Sequence, residues 1–139
     1  MVTEKPFAVK DPEEFKKELE ANGVHPIQGS AEGLCYDQEQ DGRFWLGGYD
    51  ASLEGWNPEK DEEVDMVPII QKHMENGEVA VFMGVGQEKL RNVGGYVHIV
   101  TPEESLWDDL HSTMERLLKQ AEDSGERLKR GVKRALAKR

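Results

Sequence analysis

Residues 79–100, VAVFMGVGQEKLRNVGGYVHIV, contain the two strand-like runs that decide the fold. The runs Val79–Met83 and Val93–Val100 are almost continuously apolar, which favours strands buried on both faces at the centre of a sheet. The stretch 84–92 between them is shorter than the about 12 residues that a parallel crossover needs. The sequence therefore predicts an antiparallel pair.

A second pair of strands is predicted on the N-terminal side of this one. Leu34–Tyr36 and Phe44–Leu46 are short apolar runs, and the polar stretch between them ends in Asp41-Gly42. This pattern is typical of a β-hairpin. The two pairs together predict a mainly antiparallel four-stranded sheet, and we expect an irregular connection over residues 47–61.

Two helices are expected before the 79–100 stretch. Asp11-Pro12 indicates a helix start, because the Asp side chain accepts the free amides of the first turn and Pro needs no N–H there. Asn22-Gly23 should end this helix. A second helix is expected to begin near Asp65, with Pro68 in its first turn, and to end at Asn76-Gly77.

A third and longest helix is expected after residue 100. Thr101 and Glu104 have the spacing of a capping box, which predicts a helix start at this point. Its buried stripe should consist of Leu106, Leu110, Met114, Leu117 and Ala121. Two to three helices packed on an antiparallel sheet place the chain in the α+β class.

The charges divide the chain into two parts of opposite sign. Residues 1–125 carry a net charge of -16 and residues 126–139 carry +6, within a total of -10. We therefore expect an acidic α+β domain over residues 1–123 and a basic tail over residues 124–139. Apolar residues recur every four positions in the tail, which predicts a basic amphipathic helix on binding; they are Leu128, Val132 and Leu136.

Membrane-spanning and disulfide-stapled classes are excluded by the sequence. No apolar run approaches the about 20 residues of a membrane helix, and the stretch from Met1 to Pro6 lacks the apolar core of a signal peptide. We expect a soluble, cytoplasmic protein. The lone Cys35 leaves no internal disulfide framework and no zinc site built from several cysteines.

No residue pattern amounts to a catalytic or metal motif. Gly84–Arg91 follows a strand and contains basic side chains that could bind an anion, but this stretch lacks the third glycine of a dinucleotide-binding fingerprint. A stripe on the expected third helix has metal-ligand atoms without matching ligands from other helices; it consists of Glu104, Asp108, His111 and Glu115. Cys35 with His98 as base would make a thiol nucleophile, although a buried cysteine and a hydrogen-bonded histidine are commoner. We expect no catalytic residue, no metal and no cofactor.

Aromatic and basic side chains are the expected binding residues. In the strand around Trp45, Phe44 and Leu46 face one side and Trp45 the other, so one side should be core and the other a binding face. We expect the connection 47–61 to expose Tyr49 or Trp56. The complete expected set is Trp45, Tyr49, Trp56, Lys89, Arg91, His98, Arg127, Lys129, Arg130, Lys133 and Arg134.

These features favour a non-enzymatic protein-binding module, such as an adaptor, an inhibitor or a chaperone-like protein. Basic partners would bind the acidic body, and the tail would contact an acidic partner or the body of a second copy in a homodimer. The first alternative is nucleic-acid association without sequence readout, in which the basic tail neutralises phosphates. The second alternative is an enzyme that acts on a small molecule through His98.

Overall fold

The computed structural model describes residues 2–28, 33–48, 52–88 and 92–122. The helices in this part of the chain are α1 Pro12–Ala21, α2 Val67–His73 and α3 Leu110–Glu122. The strands are β1 Val2–Thr3, β2 His25–Pro26, β3 Cys35–Gln38, β4 Phe44–Gly47, β5 Glu54–Asn57, β6 Glu62–Asp65, β7 Ala80–Glu88, β8 Asn92–Val100 and β9 Ser105–Asp109. The expected tail, residues 124–139, lies outside the described residues.

Seven of these strands form one sheet in the order β2-β3-β4-β1-β7-β8-β9, and β5-β6 is a separate hairpin. All neighbouring strands are antiparallel except β2 and β3, which are parallel. The α+β class is therefore confirmed, whereas the expectation of a four-stranded sheet is wrong. The sheet is larger because the two-residue strand β1 joins the predicted hairpins edge to edge, with Val2 opposite both Gly47 and Met83.

The central hairpin β7–β8 is antiparallel as predicted, with Phe82 opposite His98. Burial on both of its faces, however, was a wrong expectation. Phe82 and Val100 are fully buried on the inner face, whereas Val85 is 87% exposed on the outer face. Successive side chains of a strand point to opposite faces, and α1 and α2 supply core residues to the inner face.

The start of the predicted third helix is a β-turn followed by strand β9. The Thr101 amide donates to the Glu104 carbonyl oxygen at 2.9 Å, and the Glu104 amide donates to Thr101 Oγ1 at 3.0 Å. The same side-chain hydrogen bonds occur at helix caps and in turns. Here the segment forms a turn and not a helix start, because β9 pairs with β8 directly after it. Helix α3 begins later, after Asp109, whose Oδ1 accepts the Ser112 amide at 2.7 Å.

Two sequence expectations fail as a result of this shift. The proposed metal-ligand stripe does not lie on one helix, because Glu104 is in the turn and Asp108 is in β9. The expected buried stripe is not buried either. None of the α3 residues is buried, and Leu106 belongs to β9, where it is 56% exposed.

The first two helices follow the sequence closely. Asp11 Oδ1 accepts the amides of Glu13 and Glu14, at 3.1 and 3.3 Å, and caps α1. Helix α2 begins at Val67, whose amide donates to Asp65 Oδ1 at 3.0 Å. It ends at His73, three residues before the expected stop at Asn76.

Four phenylalanines form the centre of the core between the sheet and these two helices. Phe15 of α1 packs edge-on against Phe44 of β4 at 4.9 Å between ring centroids. Phe7 makes edge contacts with both Phe15 and Phe82, at 6.1 and 6.0 Å. All four rings are fully buried, so the core ties α1, β4 and β7 together.

The hairpin β5–β6 replaces much of the irregular connection that was expected over residues 47–61. The Trp56 amide donates to the Asn22 carbonyl oxygen at 2.7 Å, so the hairpin lies against the C-terminal end of α1. Gly55 makes this approach feasible, because a Cβ there would overlap the same carbonyl oxygen. Trp56 itself is 46% exposed, which confirms the expectation of an exposed Trp in this segment.

Candidate functional site

An uncovered apolar surface lies on the outer face of the sheet half formed by β7, β8 and β9. Strand alternation and pairing place the odd-numbered residues of β7 and β8 and the even-numbered residues of β9 on this side. We call this surface the outer apolar face; it consists of Val81, Met83, Val85, Val97, Ile99 and Leu106 of the sheet and Leu110 of α3.

The members of this face are accessible to different degrees. Val85, Leu106 and Leu110 are the most exposed, and Met83 and Val97 are about one-third exposed. Val81 and Ile99 are half-buried. Single exposed apolar residues are ordinary on protein surfaces, whereas large contiguous apolar patches are typical of interaction sites and ligand grooves.

A groove of about 230 Å³ runs across the face where the sheet meets the start of α3. Met83, Val85, Val97 and Leu110 line it with apolar side chains, and Thr113 is also part of its wall. Leu110 approaches the sheet at Gly95; a Cβ on Gly95 would lie 2.9 Å from Leu110 Cδ1. The absence of a side chain at this position therefore allows α3 to rest on β8.

Two carboxylates, those of Asp108 and Asp109, also line this groove. Asp108 Oδ2 accepts from Arg116 Nη1 and from Thr113 Oγ1, both at 3.2 Å. A hydrogen bond from the Ser112 amide lowers the pKa of Asp109 below its ordinary value. The groove thus combines apolar walls with two carboxylates, of which Asp108 is already paired with Arg116.

The inner face of the same strands carries a polar and aromatic cluster at its margin. His98 Nε2 lies 2.6 Å from Ser105 Oγ, and the Tyr96 and Trp107 rings stack with centroids 6.3 Å apart. Partial burial lowers the pKa of His98, and the negative charge of Asp65 opposes this shift. The structure therefore places Tyr96 and His98 on one face, as the alternation predicts.

The His98–Ser105 pair joins two strands near the turn that connects them. A neutral imidazole can accept a hydroxyl proton and so activate a serine for nucleophilic attack. Asp65 is engaged elsewhere, because its Oδ1 accepts the Val67 amide at the start of α2. Neither His98 nor Ser105 lines the apolar groove, so the simplest role of the pair is to hold β8 and β9 together.

The structure does not bring Cys35 and His98 into one site. Their strands, β3 and β8, are separated in the sheet by β4, β1 and β7. Four strand spacings of about 4.8 Å correspond to about 19 Å. The thiol nucleophile considered from the sequence is therefore wrong.

The described members of the expected binding set lie on three different strands. Trp45 is half-buried on β4, and its Nε1 donates to Glu39 Oε1 at 2.6 Å. Trp56 is on β5 and His98 on β8. The other members lie outside the described residues; they are Tyr49, Lys89, Arg91, Arg127, Lys129, Arg130, Lys133 and Arg134.

The sequence reasoning missed the outer apolar face. Val85 and Val97 belong to runs that were interpreted as buried on both sides, and Leu106 and Leu110 were assigned to a helix core. One signal in the sequence could have found the face. Two short helices can cover one side of such a sheet, and the third helix was the only predicted element that remained for the other side. One helix would leave part of that other side uncovered.

The described residues show neither a metal site nor a membrane-spanning helix. They contain no group of three or more His, Cys, Asp or Glu side chains that could hold a metal ion. None of the helices among them is long and apolar enough to cross a membrane. Comparison of the chain with family models, curated proteins and solved structures found no match.

Proposed function

We propose that this chain is a non-enzymatic protein-binding module whose partner docks on the outer apolar face. The observation that carries the proposal is the contiguous exposure of Val85, Leu106 and Leu110 beside the partly exposed Met83 and Val97. All of them except Leu106 line one groove where β7, β8 and α3 approach each other. An adaptor, an inhibitor or a chaperone-like protein needs a surface of this kind.

The partner that fits this face is a protein segment with apolar side chains flanked by Lys or Arg. The groove has apolar walls for the former, and Asp108 and Asp109 are among its lining residues for the latter. The net charge of -16 over residues 1–125 also favours a basic partner at long range. Charge complementarity of this type raises the association rate and disfavours acidic competitors.

The apolar contacts can supply a moderate affinity. Burying a Val, Leu or Met side chain completely contributes about 1.5 to 3 kcal/mol, and the five accessible members of the face are on average about half exposed. Their complete burial would contribute about 5 kcal/mol before the cost of association. A partner must therefore add polar or charged contacts to reach a micromolar dissociation constant.

Affinity capture with three full-length baits tests the proposal. The baits are the natural chain, Val85→Lys on the face, and Ile27→Lys as a matched control, because Ile27 is an exposed apolar residue of a different region. A protein that is retained by the natural chain and by Ile27→Lys, and lost with Val85→Lys, supports the proposal. Equal retention by all three baits would overturn it.

The same experiment examines the nucleic-acid alternative. Residues 126–139 carry a net charge of +6, and such a segment binds phosphates in a strongly salt-dependent way. Nuclease treatment of the lysate should leave the Val85-dependent protein on the bait. If nuclease removes everything that the natural chain retains, association through the tail replaces the proposed function.

A further inference from the structure

The apolar surface continues from the sheet along one side of α3. Leu110, Met114, Leu117 and Ala121 fall within an arc of about 60° when successive helical residues are separated by about 100°. Leu110 and Leu117 are about half exposed, and Met114 and Ala121 are half-buried. Because α3 has no buried residue, this helical stripe is an amphipathic face that the described residues cover only in part.

The chain itself contains a segment with complementary chemistry directly after α3. Seventeen residues follow Glu122, and they include apolar residues at a spacing of four. These are Leu128, Val132 and Leu136. Lys and Arg occupy most of the positions between them, whereas Asp108 and Asp109 are among the residues that line the groove at the start of α3. The segment therefore has both properties of the partner that fits the outer apolar face.

The length of this segment matches the surface that it would cover. A helix of 13 residues such as α3 is about 20 Å long, and residues 126–139 would span about 21 Å as a helix. Residues 123–125, Asp-Ser-Gly, lie between them in the sequence and have the composition and length of an αα-hairpin connection. An antiparallel return from this point would place Val132 opposite Leu117 and would bring Leu136 toward the groove.

We propose that residues 126–139 dock on the helical stripe of α3 and on the groove, and that they compete there with the partner. A short connection gives a tethered segment an effective concentration of about 1 mM. If the tail binds the surface with a dissociation constant of about 0.1 mM, the tail is docked in about 90% of the molecules, and we call this the closed form. The competition rests on the proposed function, whereas the docking itself does not. A partner would then bind about tenfold more weakly than it binds the open form.

Methyl NMR of the full chain tests the docking without any partner. The readout is the relaxation that a soluble paramagnetic agent causes at the methyl groups of Val85 and Leu117. The test variant is Leu128→Ser/Val132→Ser/Leu136→Ser, which removes the apolar residues of the tail. The matched control, Arg127→Lys/Arg130→Lys/Arg134→Lys, retains both the apolar residues and the charge.

We expect the test variant to raise the paramagnetic relaxation of both residues severalfold, and the control to leave it unchanged. The buried methyl groups of Val100 should not change in either variant, which reports an intact fold. Equal relaxation in the natural chain and the test variant would overturn the inference. Protection that disappears on dilution, together with a dimeric mass by sedimentation, would also overturn it and assign the face to a second copy.

The failures of the two proposals are distinguishable. If the test variant leaves the relaxation unchanged while Val85→Lys still abolishes capture of a partner, the docked tail is refuted and the proposed function stands. If the relaxation rises but no captured protein depends on Val85, the tail covers the face and the proposed function falls. Competition further requires that the test variant, used as a bait, retains about tenfold more partner than the natural chain at limiting concentration.

Discussion

Replacing Gly55 with Ala should break the junction between the hairpin β5–β6 and the end of α1. The new Cβ would overlap the Asn22 carbonyl oxygen and would lie 3.1 Å from Met66 Sδ. Since the oxygen belongs to the backbone and Met66 is fully buried, neither neighbour can move freely. The hairpin must therefore shift by roughly 1 Å to restore an ordinary van der Waals distance.

The magnitude follows from the contacts that this shift disturbs. Losing the hydrogen bond from the Trp56 amide to the Asn22 oxygen, which is 2.7 Å long, costs about 0.5 to 1.5 kcal/mol. Overpacking against Met66 costs about 1 to 3 kcal/mol. Alanine restricts the unfolded chain more than glycine does, and this effect raises the free energy of unfolding by about 0.4 to 1 kcal/mol. These ranges combine to a net loss in free energy of unfolding of about 0.5 to 4 kcal/mol, and we expect a value near the middle, about 2 to 3 kcal/mol.

Urea unfolding followed by far-UV circular dichroism measures this loss without depending on local Trp fluorescence. The midpoint should fall while the slope with urea stays constant, and Tm should fall by about 6 to 12 °C. Gly77→Ala is the control, because Gly77 has a φ of 81° but nothing lies within 4 Å of its added Cβ. A loss for Gly55→Ala no larger than that for Gly77→Ala would refute the reasoning.

Three further predictions concern α1, the outer apolar face and His98. Burial is the largest single effect and raises the pKa of Glu18, but hydrogen bonds and charge interactions with Lys72 and His73 together hold this pKa below the ordinary 4.5. The stability contributed by the ionised Glu18 is therefore complete above pH 4.5 and is lost as the pH falls through the folded-state pKa. Glu18→Gln should lower the stability at pH 7 by less than about 1 kcal/mol and flatten its acid limb, and urea titrations at several pH values that show equal acid limbs for both proteins would contradict this. On β7, Phe82→Ala should cost about 3 to 5 kcal/mol, while Val85→Lys should cost about 1 kcal/mol or less. Comparable losses of urea midpoint would contradict the assignment of Phe82 to the core and of Val85 to the surface of the sheet. Partial burial lowers the pKa of His98 below 6.5, so the folded state disfavours the charged form of this imidazole. The free energy of unfolding should therefore decrease as the pH falls below 6.5. An NMR titration of the imidazole with a midpoint above 6.5 would contradict the lowered pKa.

Local sequence signals predicted those elements whose stabilising contacts are close in the chain. Asp11 caps α1 through amides two and three residues away, and the short connection after β7 requires an antiparallel return. The sequence signal at Thr101 and Glu104 was also real, since the expected amide-to-hydroxyl hydrogen bond is present. It was assigned to the wrong element because a helix cap and a β-turn use the same bond.

The sequence by itself determined the α+β class, the antiparallel pairing of β7 with β8 and the start of α1, because each depends on local hydrogen bonds or on a short connection. Only the tertiary structure decided which apolar residues are core. Val85 and Val100 have the same side chain, yet one is 87% exposed and the other fully buried. Burial depends on which elements pack over each face, and β1 and β9 join the sheet through contacts that apolar periodicity does not encode. The outer apolar face, and with it the candidate binding site, is a consequence of that packing.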